Sequence, residues 1–185
     1  MRFNPSDGDA QLVSIEPPGM SDKAARAESA AFRHAMRDLA AGVAVVACGA
    51  GAARVGCTVT SLTSLSLSPP TLIVSISRSS STLGRLREAG AFGVSLLAAR
   101  HEGLANRFAG RDGAFGAHRF EGESWTTLAT GAPLLADALA GFDCRLEELI
   151  ERHTHAIAIG AVAAVREGPR APALVHWRGG FCGLE

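Results

Sequence analysis

The sequence lacks an excess of charge of either sign: eighteen Lys and Arg stand against eighteen Asp and Glu. A chain so balanced has no long-range field to hold nucleic acid or an anionic membrane surface, which excludes a polyanion-binding role. It also lacks any C-x-x-C pair. Its four cysteines, Cys48, Cys57, Cys144 and Cys182, are far apart, so neither a zinc site nor a thioredoxin-like motif is readable; they read as reduced thiols packed as small apolar groups. A long apolar run is missing too. The longest nearly apolar stretch, residues 156–165, falls well short of the roughly 20 residues that span a bilayer. The first residues carry Asp, Pro and Glu where a secretory leader needs an unbroken apolar core, so a cytoplasmic location is expected. No internal repeat is present. What remains, 185 residues of which 47% are apolar and 19% charged, suits one globular domain with a substantial core.

Residues 1–27 mix Pro, Gly, Asp and Ser without apolar periodicity, so they are expected to form an N-terminal arm, with the folded domain over residues 28–185. Phe32, Ala35, Met36 and Leu39 recur at helical spacing and predict an amphipathic helix from about Ser29, closed by Gly42 as C-cap. Residues 43–48 and 55–60 are β-branched runs joined by a Gly- and Ala-rich connection, which reads as a hairpin. After Pro69 and Pro70, residues 71–77 read as a strand. A short helix follows, capped among Ser79 to Thr82 and ended at Gly90. Residues 92–97 read as a strand, 101–109 as a short helix, and 138–150, 156–165 and 173–177 as strands. In 156–165 both alternating sets are apolar or small, which predicts a strand buried on both sides, with a dimer interface as one candidate for the second side. Many strands with single short helices between them fit a closed antiparallel barrel better than a βαβ array.

Four segments carry candidate chemistry. In residues 56–70, Ser and Thr alternate with Val and Leu, which suits a half-exposed strand or a strand end that opens into a loop and bonds the polar edge of a flat ring. Ser77-Arg78-Ser79-Ser80-Ser81-Thr82 lies where a strand meets a helix; the unpaired N–H groups of a helix start, several hydroxyls and an Arg together suit a phosphate. In Leu104 to Arg111, the small Ala109 and Gly110 after Phe108 allow a ligand close to the backbone. His153 and His155 share one side of a strand, but no third ligand is near, so no metal site is assigned.

In this order the segments resemble the flavin reductase-like, FMN-binding split-barrel family, over about residues 30–185. Phe32-Arg33-His34-Ala35-Met36 with residues 40–46 resembles its opening helix and strand. Residues 58–66 with Pro69-Pro70 resemble its ring-binding loop, Ser79, Ser81 and Thr82 its phosphate turn, Phe108-Ala109-Gly110 its F-A-G segment, and Thr154-His155 the place of its G-D-H motif. Departures are Arg152-His153, where Gly-Asp is commoner, and Cys57, where Met is frequent. The resemblance implies a mainly β fold with a few short helices, a Greek-key split β-barrel, in a homodimer. It implies an NAD(P)H-dependent flavin reductase passing a hydride from NADH or NADPH to FMN or FAD and supplying reduced flavin to a partner monooxygenase. Thr58, Ser61, Leu62 and Thr63 would then hold the ring, Ser77, Ser79, Ser81 and Thr82 the phosphate, Phe108, Ala109 and Gly110 would complete the cofactor site, and His155 would position the nicotinamide. Two other classes share these features: a non-catalytic flavin-binding module, and a split-barrel oxidase with permanently bound FMN.

Overall fold

The structure, a computed structural model, describes residues 22–185, with side chains from residue 29 onward. Residues 1–21 of the expected arm lie outside the described residues. The rest of that arm is helical, because α1 runs Asp22–Met36. Its Ala-rich composition favours helix from the start, and Arg33 and His34 in the last turn oppose the negative end of the helix dipole. The helix ends before Gly42, which is no C-cap: it pairs with Val175 in a short strand, β1 (Ala41–Gly42). α1 forms a unit apart from the body at 37–185. The apolar residues that predicted it, Phe32 and Met36, are exposed.

The body is mainly antiparallel β. Its strands are β2 (Ala44–Cys48), β3 (Val55–Val59), β4 (Leu62–Leu67), β5 (Pro70–Ser77), β6 (Ala91–Leu96), β7 (Trp125–Thr126), β8 (Leu134–Leu135), β9 (Ala140–Arg152), β10 (His155–Glu167), β11 (Ala173–Trp177) and β12 (Gly180–Leu184). Two helices interrupt them, α2 (Ser81–Ala89) and α3 (Glu102–Phe108). Seven strands form one sheet in the order β3-β2-β6-β9-β10-β5-β4, so β3 and β4, consecutive in the chain, stand at its two edges. β1, β11 and β12 make a second sheet, and β7 pairs with β8.

Period-two alternation in β2 explains how the layers are joined. Ala44, Val46 and Cys48 point into a core with Val74, Ile76, Leu86, Phe92 and Val94. Val45 and Ala47, with Val43 before them, point the other way, into a core with Leu97, Leu104, Phe108, Phe120 and Leu174. β2 is therefore buried on both sides within the chain, while residues 156–165, expected to be covered on both, are covered by the chain itself on one. In β10, Ala156, Ala158 and Gly160 face inward while Ile157 and Ile159 are partly exposed. Gly160 is required there, since a Cβ would lie 2.5 Å from the Phe92 ring.

Of the two readings of the hydroxyl-rich stretch, the half-exposed strand describes residues 62–67, which form β4 on the edge of the sheet, with a bulge between Ser64 and Ser66. Their alternation of Leu with Ser and Thr is a strand pattern, and pairing with β5 outweighs the tendency of hydroxyl residues to turn. Residues 180–184 form β12 after a tight turn at Arg178 and Gly179, both left-handed.

Candidate functional site

One cavity of about 320 Å³ gathers much of the predicted chemistry: Cys57, Thr58, Val59, Thr60, Ser61, Ser75, Ile76, Ser77, Ser80 and His155 line it. It lies between β3, the open edge of the sheet, and the end of β5 beyond the reach of β4. Backbone groups on an unpaired edge keep their hydrogen-bonding capacity for a ligand. Ser61 makes this opening possible. Its Oγ donates to the carbonyl of Ser75 at 2.8 Å and accepts from the Ser75 N–H at 3.2 Å, standing in for the next strand residue as β4 begins.

The far side of the cavity is the start of α2. Ser80 is the N-cap, its Oγ accepting from the Thr82 N–H at 3.2 Å, and Gly90 ends the helix in the left-handed conformation. Ser77 and Ser79 pair through their hydroxyls at 2.9 Å, and the Ser79 N–H donates to Ser77 Oγ at 3.4 Å. Thr82 is fully buried, and its Oγ1 has no partner of good hydrogen-bond geometry. It lies beside the Cys57 thiol, which burial pushes above its ordinary pKa while contacts with Thr82 and Ser80 pull the other way. A neutral thiol therefore lines the cavity at pH 7.

His155 is the first residue of β10, set opposite Ser77 of β5. Its Nδ1 lies 2.9 Å from the Thr154 hydroxyl.

The predicted residues divide into two groups. Thr58, Ser61, Ser77 and His155 share the cavity, while Leu62, Thr63, Ser79, Ser81 and Thr82 stand outside its lining. The Thr58 hydroxyl is already engaged, donating to the carbonyl of Ala105 in α3 at 2.7 Å. Phe108, expected to complete the ligand site, is buried in the second core against Phe120 and Trp125. Ala109 and Gly110 are exposed after it. Phe108 acts from beneath: it packs under Gly56, next to the cavity-lining Cys57.

Arg119 fixes that arrangement and was not readable as a site residue. Its Nη1 donates to the carbonyls of Gly56 and Phe108 at 3.1 and 3.2 Å, and its Nε to that of Ala114 at 2.9 Å. No local motif marks it, because its partners are backbone carbonyls, which carry no residue signature, and that of Gly56 lies sixty-three residues away.

A hydroxyl-rich cleft beside an open strand edge, with a helix start at one end and a histidine at the mouth, fits a planar ligand that carries a phosphate. Among the described residues no group of three His, Cys, Asp or Glu side chains is placed to hold a metal ion. A larger groove of about 520 Å³ on the small sheet is lined by apolar and small residues with Cys182. It offers no comparable donor set.

Comparison with known proteins agrees with this geometry. Residues 36–185 match the family profile of the flavin reductase like domain. The chain is 40% identical over 165 residues to FMN reductase (NADH) RutF 2 of Methylorubrum extorquens strain PA1, covering 89% of this chain and 91% of that one. The crystal structure of BorF, the flavin reductase component of a bacterial two-component tryptophan halogenase, superposes with a TM-score of 0.78 at 36% identity, covering 84% of this chain and 98% of that one. The NADH:FAD oxidoreductase SgcE6 of Streptomyces globisporus C-1027, in complex with NAD and FAD fragments, gives 0.75 at 30% identity, covering 89% and 95%. With a family match spanning most of the chain and relatives alike over nearly their whole length, the protein belongs to the flavin reductase like family.

Proposed function

We propose that the protein transfers a hydride from NADH to FMN, with FAD and NADPH as the alternatives to be compared, and hands the reduced flavin to a partner monooxygenase. The observation that carries this reading is the cavity itself, where the hydroxyl-rich end of β3, the start of α2 and His155 meet around one space of about 320 Å³. The relative named as an NADH-dependent FMN reductase supports the choice of coenzyme and flavin. The halogenase reductase component supports a role as one half of a two-component system.

Bound flavin and coenzyme supply the hydride chemistry, so the protein's part is placement. The open edge of β3 at residues 57–59, with Thr60 and Ser61, holds the polar edge of the ring. Ser77 and Ser80 at the mouth of α2 receive the phosphate side, with Ser79, Ser81 and the orphaned Thr82 hydroxyl close behind. His155 positions the nicotinamide. The position of β3 and β4 as chain neighbours at opposite sheet edges supports a split barrel. On the outer face of the sheet, the partly exposed Ile73, Ile157 and Ile159 lie together in register and support a homodimer through that face. Four free thiols support a reducing, cytoplasmic location.

Purified protein tests the reading through steady-state oxidation of NADH and NADPH with FMN and with FAD. Absence of turnover with every pair would sink it. His155→Ala is expected to raise the KM for NADH by about fivefold or more while changing flavin affinity by less than about twofold. Unchanged KM would remove His155 from the coenzyme site.

A further inference from the structure

The reversal that presents His155 is built against its own conformational preference. Arg152 and His155 pair across the hairpin, leaving His153 and Thr154 to make the whole turn. His153 has a φ of 49°, in the left-handed region that glycine occupies freely and a residue with a Cβ does not. Such a conformation persists only where its surroundings hold it.

One residue supplies much of that hold. The backbone N–H of Arg78, just past β5, donates to the Thr154 carbonyl at 2.9 Å. The same residue's Nη1 donates to the His153 carbonyl at 3.0 Å, and its Nη2 pairs with Glu151 at 3.1 Å. Glu151 is itself held from α2 by Arg87. Both carbonyls of the turn are thus tied to Arg78, and the residue that follows them is His155. In sequence, Arg78 suggested an anion ligand among the serines. In the fold its guanidinium is committed to Glu151 and His153, and it is absent from the cavity lining.

We propose that Arg78 is a positioning residue: it clamps the strained His153–Thr154 reversal and thereby fixes where His155 meets the coenzyme, without itself touching flavin or coenzyme. This rests on the reading of His155 as the nicotinamide-positioning residue. It accounts for how a chain with His at a turn position suited to Gly keeps one geometry there.

The test combines hydrogen exchange with kinetics on the full chain. In Arg78→Gln, amides of residues 153–155 are expected to exchange about fivefold faster, and the KM for NADH to rise about fivefold, with kcat and flavin affinity within about twofold. Glu151→Gln weakens the clamp from its other side and is expected to move both readouts in the same direction. Adding His153→Gly to Arg78→Gln is expected to restore KM, because glycine takes the turn conformation unaided. Unchanged exchange overturns the clamp. Faster exchange with an unmoved KM overturns its link to the coenzyme, and the His155→Ala result tells which part failed: if that variant raises KM, the reading of His155 stands and the role of Arg78 falls. Loss of flavin affinity that His153→Gly does not rescue makes Arg78 a direct anion ligand and also overturns the proposal.

Discussion

Gly56→Ala probes the floor of the site. Gly56 is buried in β3 opposite Ala47 of β2. A Cβ there would lie 2.7 Å from Cε1 of Phe108 and 2.8 Å from the carbonyl oxygen of Val46. Neither neighbour yields easily. The carbonyl belongs to the adjoining strand, and the Phe108 ring is wedged edge-on to Phe120 at 5.0 Å and against Trp125 at 5.6 Å. Overpacking of a core by one methyl group costs about 1–3 kcal/mol. With backbone and ring both in the way, the upper half of that range is expected, about 2 kcal/mol, which for a domain of this size lowers Tm by about 4–8 °C. Urea unfolding of flavin-free protein measures the cost directly. Phe108→Leu removes the Cε1 contact, so Gly56→Ala should cost about 1 kcal/mol less in that background than alone. Because Cys57 and Thr58 adjoin the displaced residue, flavin affinity should fall with stability. A cost below about 0.5 kcal/mol, or the same cost in both backgrounds, would refute the claim that Phe108 supports the site by packing beneath it.

Two further outcomes are accessible without assaying turnover. Burial pushes the Asp137 carboxyl up, but hydrogen bonds and positive charge from His101 and Arg100 prevail and hold it below its ordinary value. A carboxylate depressed in the folded state adds stability above its unfolded pKa and loses it as the pH falls through the folded value. Asp137→Asn is therefore expected to cost stability at pH 7 and progressively less as the pH falls through the folded value, by under about 1 kcal/mol because the pair with Arg100 is half exposed; a cost in urea unfolding that does not shrink as the pH falls counts against the pairing. Burial raises Cys48 and Cys144 to about 12 and lifts Cys57 as well. The exposed Cys182 should thus be the fast thiol toward iodoacetamide at pH 8, with Cys57 slow and slower still with flavin bound; mass spectrometry finding Cys57 modified first would contradict this.

Legibility in the sequence followed the range of the interactions. Strands β2, β3, β5 and β6 and the N-cap of α2 were readable because alternation, β-branching and hydroxyl caps are local. The hydroxyl-rich stretch was visible, but the partner of each hydroxyl was not: Thr58 is engaged by Ala105, forty-seven residues away, and Ser61 by Ser75. Arg119 and the clamp at Arg78 escaped notice for the same reason, since a guanidinium on distant backbone carbonyls leaves no pattern along the chain. How much of β10 the chain itself covers was not readable, because alternating small and branched apolar residues look alike whether one face or both are covered. Only the neighbouring strands decide.

The double burial of β2 bears on cooperativity. Residues 43–48 supply alternate side chains to two cores, so neither core can loosen without exposing the other through the strand they share. Opening either side breaks the same backbone pairing to β3 and β6. The ligand cavity, bordered by β3, rests one strand away from this common element, so thermal loss of the site and loss of the fold belong to a single event.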